Sequence, residues 1–418
     1  MYLIINILGV VVFLAIGVLL SKKRKEIQWR GVGTLLVMNF VLAWFLTTFP
    51  IGREIVQGAA AAFVGLVNVA YEGIAFAFPD WVHVKQMNFF TSALLPILFV
   101  VPLFDILTYI GILPFVIKYI GKALAFLTHE PKFESFFSIE MMFLGNTEAL
   151  AVSNLQLKRM KADRCLTLAM MSMSCVTAGL IGVYTTMMPA EFILTAVPLN
   201  VVNALIVTNI LHPVKISPEE DTVATLKDGG KEREPFFSFL GSSILGAGRL
   251  VLIIAANVIA FVALAKFIDL LLGFVHPMLS LESILGVIMF PFAWLMGLDT
   301  TEAFTLAQNM GTKLVTNEFV VMLGVQDNFA TFSRHLQGVL TVFVTSFANF
   351  GTLGMIIGFF KGTVDDSKNE LISRNVGYML LSGILVSLLS ASSSGKKDRN
   401  AVSFIQQALP LGELAREA

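Results

Sequence analysis

Gly-Asn-Thr-Glu at residues 145–148, matched by Thr-Asn-Glu-Phe at residues 316–319, twice places an Asn and a Glu inside long apolar surroundings. A charged side chain at the centre of a bilayer costs on the order of 2.5–3.5 kcal/mol. A sequence that carries this cost twice needs a polar cavity to hold both carboxylates. We therefore expect the two acids to face one shared, water-lined site, surrounded by membrane-embedded helices.

The composition of the chain indicates an all-α integral membrane protein. Of its 418 residues, 56% are hydrophobic and 14% are charged, whereas soluble domains contain roughly 25% charged residues. The formal net charge is zero, which gives no reason to expect nucleic acid as a partner. Two cysteines without a CxxC motif and five scattered histidines predict no metal site, and we expect no cofactor. The predicted location is the cell inner (plasma) membrane, crossed many times.

Eight apolar segments are long enough to cross the roughly 30 Å hydrocarbon core. They are residues 2–20, 32–50, 91–116, 165–188, 191–211, 236–272, 335–360 and 375–391. Residues 51–90 are rich in Gly and Ala and contain Phe-Pro-Asp-Trp at residues 78–81, a composition that predicts interfacial helices with aromatic rings at headgroup level.

Two further segments are predicted to be re-entrant hairpins that enter from opposite faces. Basic residues flank residues 137–157 on both sides, so both ends of this segment are expected on the cytoplasmic face. Residues 277–325 are predicted to contain an interfacial helix and a second hairpin, entered from the outside. Non-helical backbone at membrane depth is tolerated only where protein or a water-filled cavity surrounds it.

The same order of segments occurs twice, over residues 91–211 and again over residues 236–391, starting from opposite sides of the membrane. Inverted repeats with discontinuous helices are typical of secondary transporters, whose site lies at the repeat interface. Residues 1–90 are predicted to be N-terminal scaffold, residues 212–235 a cytoplasmic loop and residues 392–418 a polar tail.

The polar residues within these segments suit a neutral, hydroxyl-rich and partly flat ligand. The carboxylates of Glu148 and Glu318 can accept hydrogen bonds from a sugar diol, and Asn side chains can donate to and accept from a heterocycle. Phe347 offers a ring for packing. Lys313 is expected to snorkel towards the interface or to pair with a nearby acid.

Three functions are compatible with such a site: a symporter, an intramembrane enzyme and a channel. No nucleophile–base pair or phosphate-binding loop is visible in the sequence, which disfavours an enzyme, and we predict no catalytic residue. Channels prefer symmetric rings of pore residues, whereas these polar groups lie on two inequivalent hairpins. The sequence therefore favours a symporter.

Residues 311–320 match in full the Gly-x-Lys-x-x-x-Asn-Glu-Phe-Val signature of the concentrative nucleoside transporter family, the bacterial NupC-type permeases. Residues 145–148 resemble the family's Gly-Gln-Thr/Ser-Glu, with Asn in place of Gln. Residues 346–350 contain its Phe-Ala-Asn-Phe segment. The similarity extends from residue 1 to about residue 390.

This resemblance implies a homotrimer in which each subunit imports nucleosides through its own site, in a mobile transport domain beside a scaffold. It implies that the first hairpin reads the base, that the second hairpin and the seventh span hold the ribose, and that one Phe lies beside the base. The corresponding substrate-binding residues are Asn146, Thr147, Glu148, Asn317, Glu318, Phe347, Asn349 and Thr352. The Gln-to-Asn change leaves the preference for purines or pyrimidines open.

We favour a proton over sodium as the coupling ion. Sodium requires a shell of oxygen ligands, and in sodium-coupled family members an Asn supplies one of them, about one turn before the first hairpin's Gly. Here that position is Met141, whose thioether is a poor ligand for a hard cation. Glu148 and Glu318 are candidates for taking up a proton. Ser174 can still contribute to a cation site, so a sodium symporter remains the alternative.

Overall fold

The computed structural model describes residues 2–85, 87–145, 149–150, 152–217, 220–221, 234–277 and 279–394. These residues form an all-α protein with no strand among them, which confirms the all-α part of the prediction; the number of spans and the inverted repeats stay predictions. By length and composition, six helices in the described part of the chain can cross a membrane. They are Trp29–Thr47, Pro50–Ala77, Phe90–Tyr109, Ala190–Leu211, Phe236–Gly273 and Val376–Ser394.

The N-terminal region differs from the prediction in one respect. Helices α1 (Tyr2–Leu20) and α2 (Trp29–Thr47) correspond to the first two predicted spans. The next segment, predicted as several interfacial helices, instead forms one 28-residue helix, α3 (Pro50–Ala77), followed by the short α4 (Pro79–Val82). Pro50 occupies the first turn, where its missing N–H costs nothing. The Gly and Ala residues that suggested an interrupted segment are accommodated within one continuous helix.

The predicted third span, residues 91–116, is divided. A π-helical turn at Phe90–Leu94 precedes α5 (Ile97–Tyr109), and α6 (Ile112–Thr128) follows as a separate helix. Gly111 lies between α5 and α6 with φ +95°. This left-handed conformation is accessible to glycine and ends the helix there.

Two helix–break–helix units occupy the segments predicted as hairpins. In the first helical pair, α7 (Lys132–Leu144) ends at Gly145 and is followed by α8 (Asn154–Arg159). In the second helical pair, α14 (Thr300–Val315) is followed by α15 (Glu318–Val325). The re-entrant placement of both pairs stays a prediction.

In the rest of the chain, two predicted spans are each broken into two helices. Residues 172–177 interrupt the first of these spans, and residues 345–349 interrupt the second. The helices are α9 (Ala162–Met171), α10 (Ala178–Tyr184), α11 (Ala190–Leu211), α12 (Phe236–Gly273), α13 (Leu281–Trp294), α16 (Arg334–Val344), α17 (Phe350–Thr363), α18 (Asp366–Arg374) and α19 (Val376–Ser394).

The centre of the protein is formed by α11 and α19, which pack against each other. Asn203 of α11 donates to the Ser390 hydroxyl of α19 over 2.9 Å. Hydrogen bonds of this kind between helices contribute to helix packing in membranes. By contrast, α12 buries few of its side chains and lies at the periphery.

Of the loop predicted at residues 212–235, Glu220 and Asp221 lie against basic residues near the first helical pair. Lys161 forms a 2.5 Å ion pair with Glu220, and the Asp221 carboxylate accepts the backbone N–H of Lys132 over 2.7 Å. At the C-terminus, α19 continues to Ser394. The domain boundaries stay predictions.

Candidate functional site

Glu318 is the first residue of α15, at the break within the second helical pair. The Asn317 side chain accepts the backbone N–H of Val320 over 3.1 Å and so caps α15. Such caps satisfy backbone donors that would otherwise lack a partner. Glu318 is 4% exposed. The signature therefore has a local structural reason: Asn317 begins the helix that presents Glu318.

Two donors from different elements converge on the Glu318 carboxylate. The hydroxyl of Tyr184, at the end of α10, donates to Oε1 over 2.8 Å. The side-chain amide of Asn349 donates to Oε2 over 3.2 Å. The first half of the chain, through Tyr184, and the second half, through Glu318 and Asn349, thus meet at one carboxylate.

Asn349 lies at the end of the break in residues 345–349 and also caps a helix. Its side-chain oxygen accepts the backbone N–H of Thr352 over 2.8 Å, at the start of α17. Asn349 therefore uses both ends of its amide, one for the helix and one for Glu318. Phe347, Asn349 and Thr352 line a cleft together with Asn317 and Glu318, so five of the eight predicted substrate-binding residues lie together.

This cleft contains about 490 Å³ of empty space, counted to its open mouth. One wall comes from α12, including Asn257 and Phe261. Polar groups on a mostly apolar wall are typical of small-molecule sites, because the apolar surface supplies affinity and the polar groups fix orientation. Neither Asn257 nor Tyr184 was predicted from sequence, since one polar or aromatic residue in an apolar span carries little signal.

Lys313 is fully buried, so of the two predicted alternatives snorkelling to the interface is wrong and an interaction with a nearby acid remains. Its Nζ donates to the Phe343 carbonyl over 2.6 Å and to the Ser346 hydroxyl over 2.5 Å. Its ammonium also interacts electrostatically with Glu318. Ser346 in turn contacts the Ser387 hydroxyl over 2.6 Å. Lys313 therefore holds the broken segment that carries Phe347 and Asn349.

The broken segment is also held from α11. The Asn200 amide donates to the Thr345 carbonyl over 2.5 Å. A carbonyl released by a helix break in a buried region needs such a partner. The break is thus an ordered feature, tied to its neighbours on two sides.

The first helical pair is described only in part at its tip. Asn146, Thr147 and Glu148 lie outside the described residues, and their predicted roles stay predictions. Gly145 has φ +90° and donates its N–H to the Met141 carbonyl over 3.0 Å. Ser174 is fully buried in the break between α9 and α10, and its hydroxyl has no partner among the described residues. Among all residues that the structure describes, no group of three His, Cys, Asp or Glu side chains is placed to bind a metal ion.

Comparison with known proteins identifies the family. Residues 8–81 match the family model for the Na+ dependent nucleoside transporter N-terminus, and residues 192–395 match the model for its C-terminus. The purine nucleoside transport protein NupG of Bacillus subtilis is 44% identical over 396 residues, which cover 94% of this chain and 99% of NupG. The chain belongs to the concentrative nucleoside transporter family. It is a transporter and not an enzyme.

More distant relatives align over most of the chain. The nucleoside permease NupC of Helicobacter pylori is 25% identical, covering 93% of this chain and 96% of NupC. The structure of CNTnw in an inward-facing, substrate-bound state superimposes with a TM-score of 0.87 at 24% identity, covering 94% of this chain and 97% of CNTnw. This likeness shows that the two proteins share a fold.

Proposed function

We propose that this chain is a secondary active symporter that imports nucleosides together with a proton across the inner membrane. The observation that carries the proposal is the buried Glu318 carboxylate, oriented by Tyr184 and Asn349 at the wall of an amphipathic cleft. A carboxylate held in this way is a strong acceptor for hydroxyl donors, because charge-assisted hydrogen bonds are about twice as strong as neutral ones.

The proposed ligand pose places the ribose at Glu318 and the base beside Phe347. The ribose hydroxyls donate to Glu318, with Asn349 and Thr352 completing this end of the cleft. Asn146, Thr147 and Glu148 read the base from the tip of the first helical pair. Among possible bases we favour purines, since NupG, the relative with 44% identity, is a purine nucleoside transport protein.

For the coupling ion we favour a proton. The side chain of Met141, the residue whose backbone carbonyl accepts the N–H of Gly145, is a thioether and has no oxygen to offer sodium. The alternative is sodium: the matching family models are described as Na+ dependent, and the unpartnered hydroxyl of Ser174 is a possible ligand. We further propose that both helical pairs are re-entrant, that they move with the substrate, and that the protein assembles as a homotrimer.

Uptake into proteoliposomes tests the proposal. We expect adenosine or inosine to accumulate above its external concentration in sodium-free buffer when the outside is acidic, with weaker uptake of uridine. A protonophore should abolish accumulation. Strict sodium dependence without a response to pH would contradict proton coupling, and equilibration without accumulation would indicate a channel.

A further inference from the structure

Glu140 is a buried carboxylate in the first helical pair that no role described so far uses. It lies on α7, five residues before Gly145, and is 2% exposed. The Ser153 hydroxyl donates to Glu140 Oε2 over 2.9 Å. Ser153 precedes α8, so this bond connects the two arms of the pair.

The bond to Glu140 takes the place of the capping hydrogen bond that a serine usually makes at this position. Ser153 is the N-cap residue of α8, where a serine hydroxyl normally accepts a backbone N–H of the first turn. Ser153 makes no such capping bond. Its hydroxyl is instead directed across to Glu140, which marks the carboxylate as a built part of the interface between the arms.

The environment of Glu140 differs from those of two other buried acids. Glu134, on the same helix, forms a bidentate ion pair with Arg164, with both N–O distances at 2.8 Å. Glu318 has two hydrogen-bond donors and the electrostatic attraction of Lys313. Within the described part of the chain, Glu140 has one hydroxyl donor and no cation within ion-pair distance.

Charged and titratable groups on the helices around α7 are bound elsewhere or exposed. On α9, Arg164 pairs with Glu134. Asp163, on the same helix, pairs with Lys23 and lies 3.9 Å from His212. On α10, the Tyr184 hydroxyl donates to Glu318. On α11, Glu191 pairs with Arg334, and Cys165 of α9 donates to the Leu157 carbonyl. The lysines and arginine of α6 and α8 are exposed: Lys118, Lys122, Lys158 and Arg159.

We infer that Glu140 is the site that binds the coupling proton, with Ser153 holding its other oxygen. A buried carboxylate without a cation is much less costly as the neutral acid than as the anion. When the site faces outward, Glu140 Oε1 takes one proton from external water and the carboxylate becomes a carboxylic acid. The proton returns to water on the cytoplasmic side. This inference rests on the proposed proton symport.

The location of Glu140 explains how proton and nucleoside can be linked. The acid lies between α7 and α8, the two arms of the first helical pair, and in the sequence the proposed base-reading residues 146–148 fall between these arms. A charge that appears or disappears between the arms favours a different packing of the pair. Because such coupling is reciprocal, a proton that favours the binding geometry of the tip tightens nucleoside binding, and bound nucleoside promotes protonation.

The test measures nucleoside affinity of the purified full-length protein between pH 5.5 and pH 8.5, using adenosine or inosine. In the native protein we expect affinity to fall as pH rises, by up to about tenfold per pH unit for one linked proton. Glu140→Gln mimics the protonated acid. It should bind at pH 8.5 as tightly as the native protein binds at pH 5.5, exchange nucleoside, and fail to accumulate it under a pH gradient.

Glu130→Gln is a matched control. Glu130 is also buried and lies between α6 and α7, and burial raises the pKa of its carboxyl to about 7. This variant should retain the native pH dependence. If Glu140→Gln does not fold, Ser153→Ala is measured instead, with Ser138→Ala as its control. Ser138 is buried on α7 and donates to the Ser135 carbonyl, not to Glu140. Of these two variants, only Ser153→Ala should therefore shift the midpoint of the pH dependence of nucleoside affinity, and the shift should be towards higher pH.

Each result is decisive. If Glu140→Gln keeps the native pH dependence, or if Ser153→Ala leaves the midpoint unchanged, the assignment to Glu140 is overturned. Loss of pH dependence in Glu130→Gln would also overturn it. If nucleoside affinity of the native protein does not depend on pH, the proposed proton symport is wrong. If it depends on pH in the native protein and equally in Glu140→Gln, only the assignment to Glu140 is wrong.

Discussion

At the scale of single residues, the cleft is organised by side chains that each serve two partners. Asn349 caps α17 and donates to Glu318, and Lys313 bonds to a carbonyl and a hydroxyl of the broken segment. Glu318 and Asn349 could be predicted because polar residues are costly in apolar spans. Tyr184 could not, because aromatic side chains are common there, and the depth of Lys313 cannot be inferred from its neighbours in sequence.

Replacing Glu318 by Gln should weaken nucleoside binding. A neutral amide is a poorer acceptor for the ribose hydroxyls, and a hydrogen bond to a charged group contributes roughly 1.5–3 kcal/mol. At about 1.4 kcal/mol per decade, affinity should fall about 10–150-fold. A binding isotherm with adenosine measures the change.

A 2′,3′-dideoxynucleoside provides the complementary comparison, since it lacks the hydroxyls that Glu318 is proposed to bind. It should bind weakly to the native protein and lose little more in Glu318→Gln. Glu370→Gln, an exposed change on α18, serves as the control. Equal native affinity for the ribo- and dideoxynucleoside would remove Glu318 from the ribose role.

At the scale of elements, the two broken helices are packed against one position on α19. An added Cβ at Gly383 would lie 2.9 Å from the Cβ of Ala348 and 2.9 Å from the Cβ of Met173. Those residues belong to the two breaks, residues 345–349 and 172–177. The polar composition of both spans could be read from the sequence. That both breaks approach one glycine could not, because the contact joins segments far apart in the chain.

Gly383→Ala should therefore destabilise the protein. The new methyl group would also lie 3.0 Å from the Met173 carbonyl oxygen, so backbone must shift to admit it. Overpacking of this kind typically costs about 1–3 kcal/mol. A lower melting temperature and reduced uptake are expected for the purified variant.

Gly377→Ala is the matched control on the same helix, since nothing lies within 4 Å of an added Cβ there. Alanine is a better helix former than glycine, so this variant should be as stable as the native protein or more stable. If Gly383→Ala and Gly377→Ala have the same melting temperature, the close approach at Gly383 has no energetic consequence.

At the scale of the whole molecule, the order of helices largely follows the sequence pattern, with α3 and the divided third span as exceptions. Apolar segments and basic flanks are local signals, and they located most helices. The single α3 was missed because Gly and Ala within a segment do not show whether its helix is continuous. The cleft joins α10, α12, α15 and the break before α17, and no local signal specifies that convergence.

The proposed homotrimer can be tested at α12, an apolar helix with few buried side chains. This helix has 38 residues, about 57 Å at 1.5 Å per residue, whereas the hydrocarbon core is about 30 Å thick. It buries only Ala247, Val251 and Ile254 within the chain. Lipid can cover part of this apolar surface, and we expect other copies of the chain to cover the rest in a homotrimer.

Native mass spectrometry of the protein released from detergent should therefore show three copies of the chain. A cysteine introduced at Phe267, which is 57% exposed on α12, should form crosslinks between copies in membranes. The native chain is a suitable control because Cys165 and Cys175 are both buried and should not crosslink. A single-copy mass across several mild detergents, together with no crosslinks from Phe267→Cys, would contradict the trimer and leave lipid as the cover of α12.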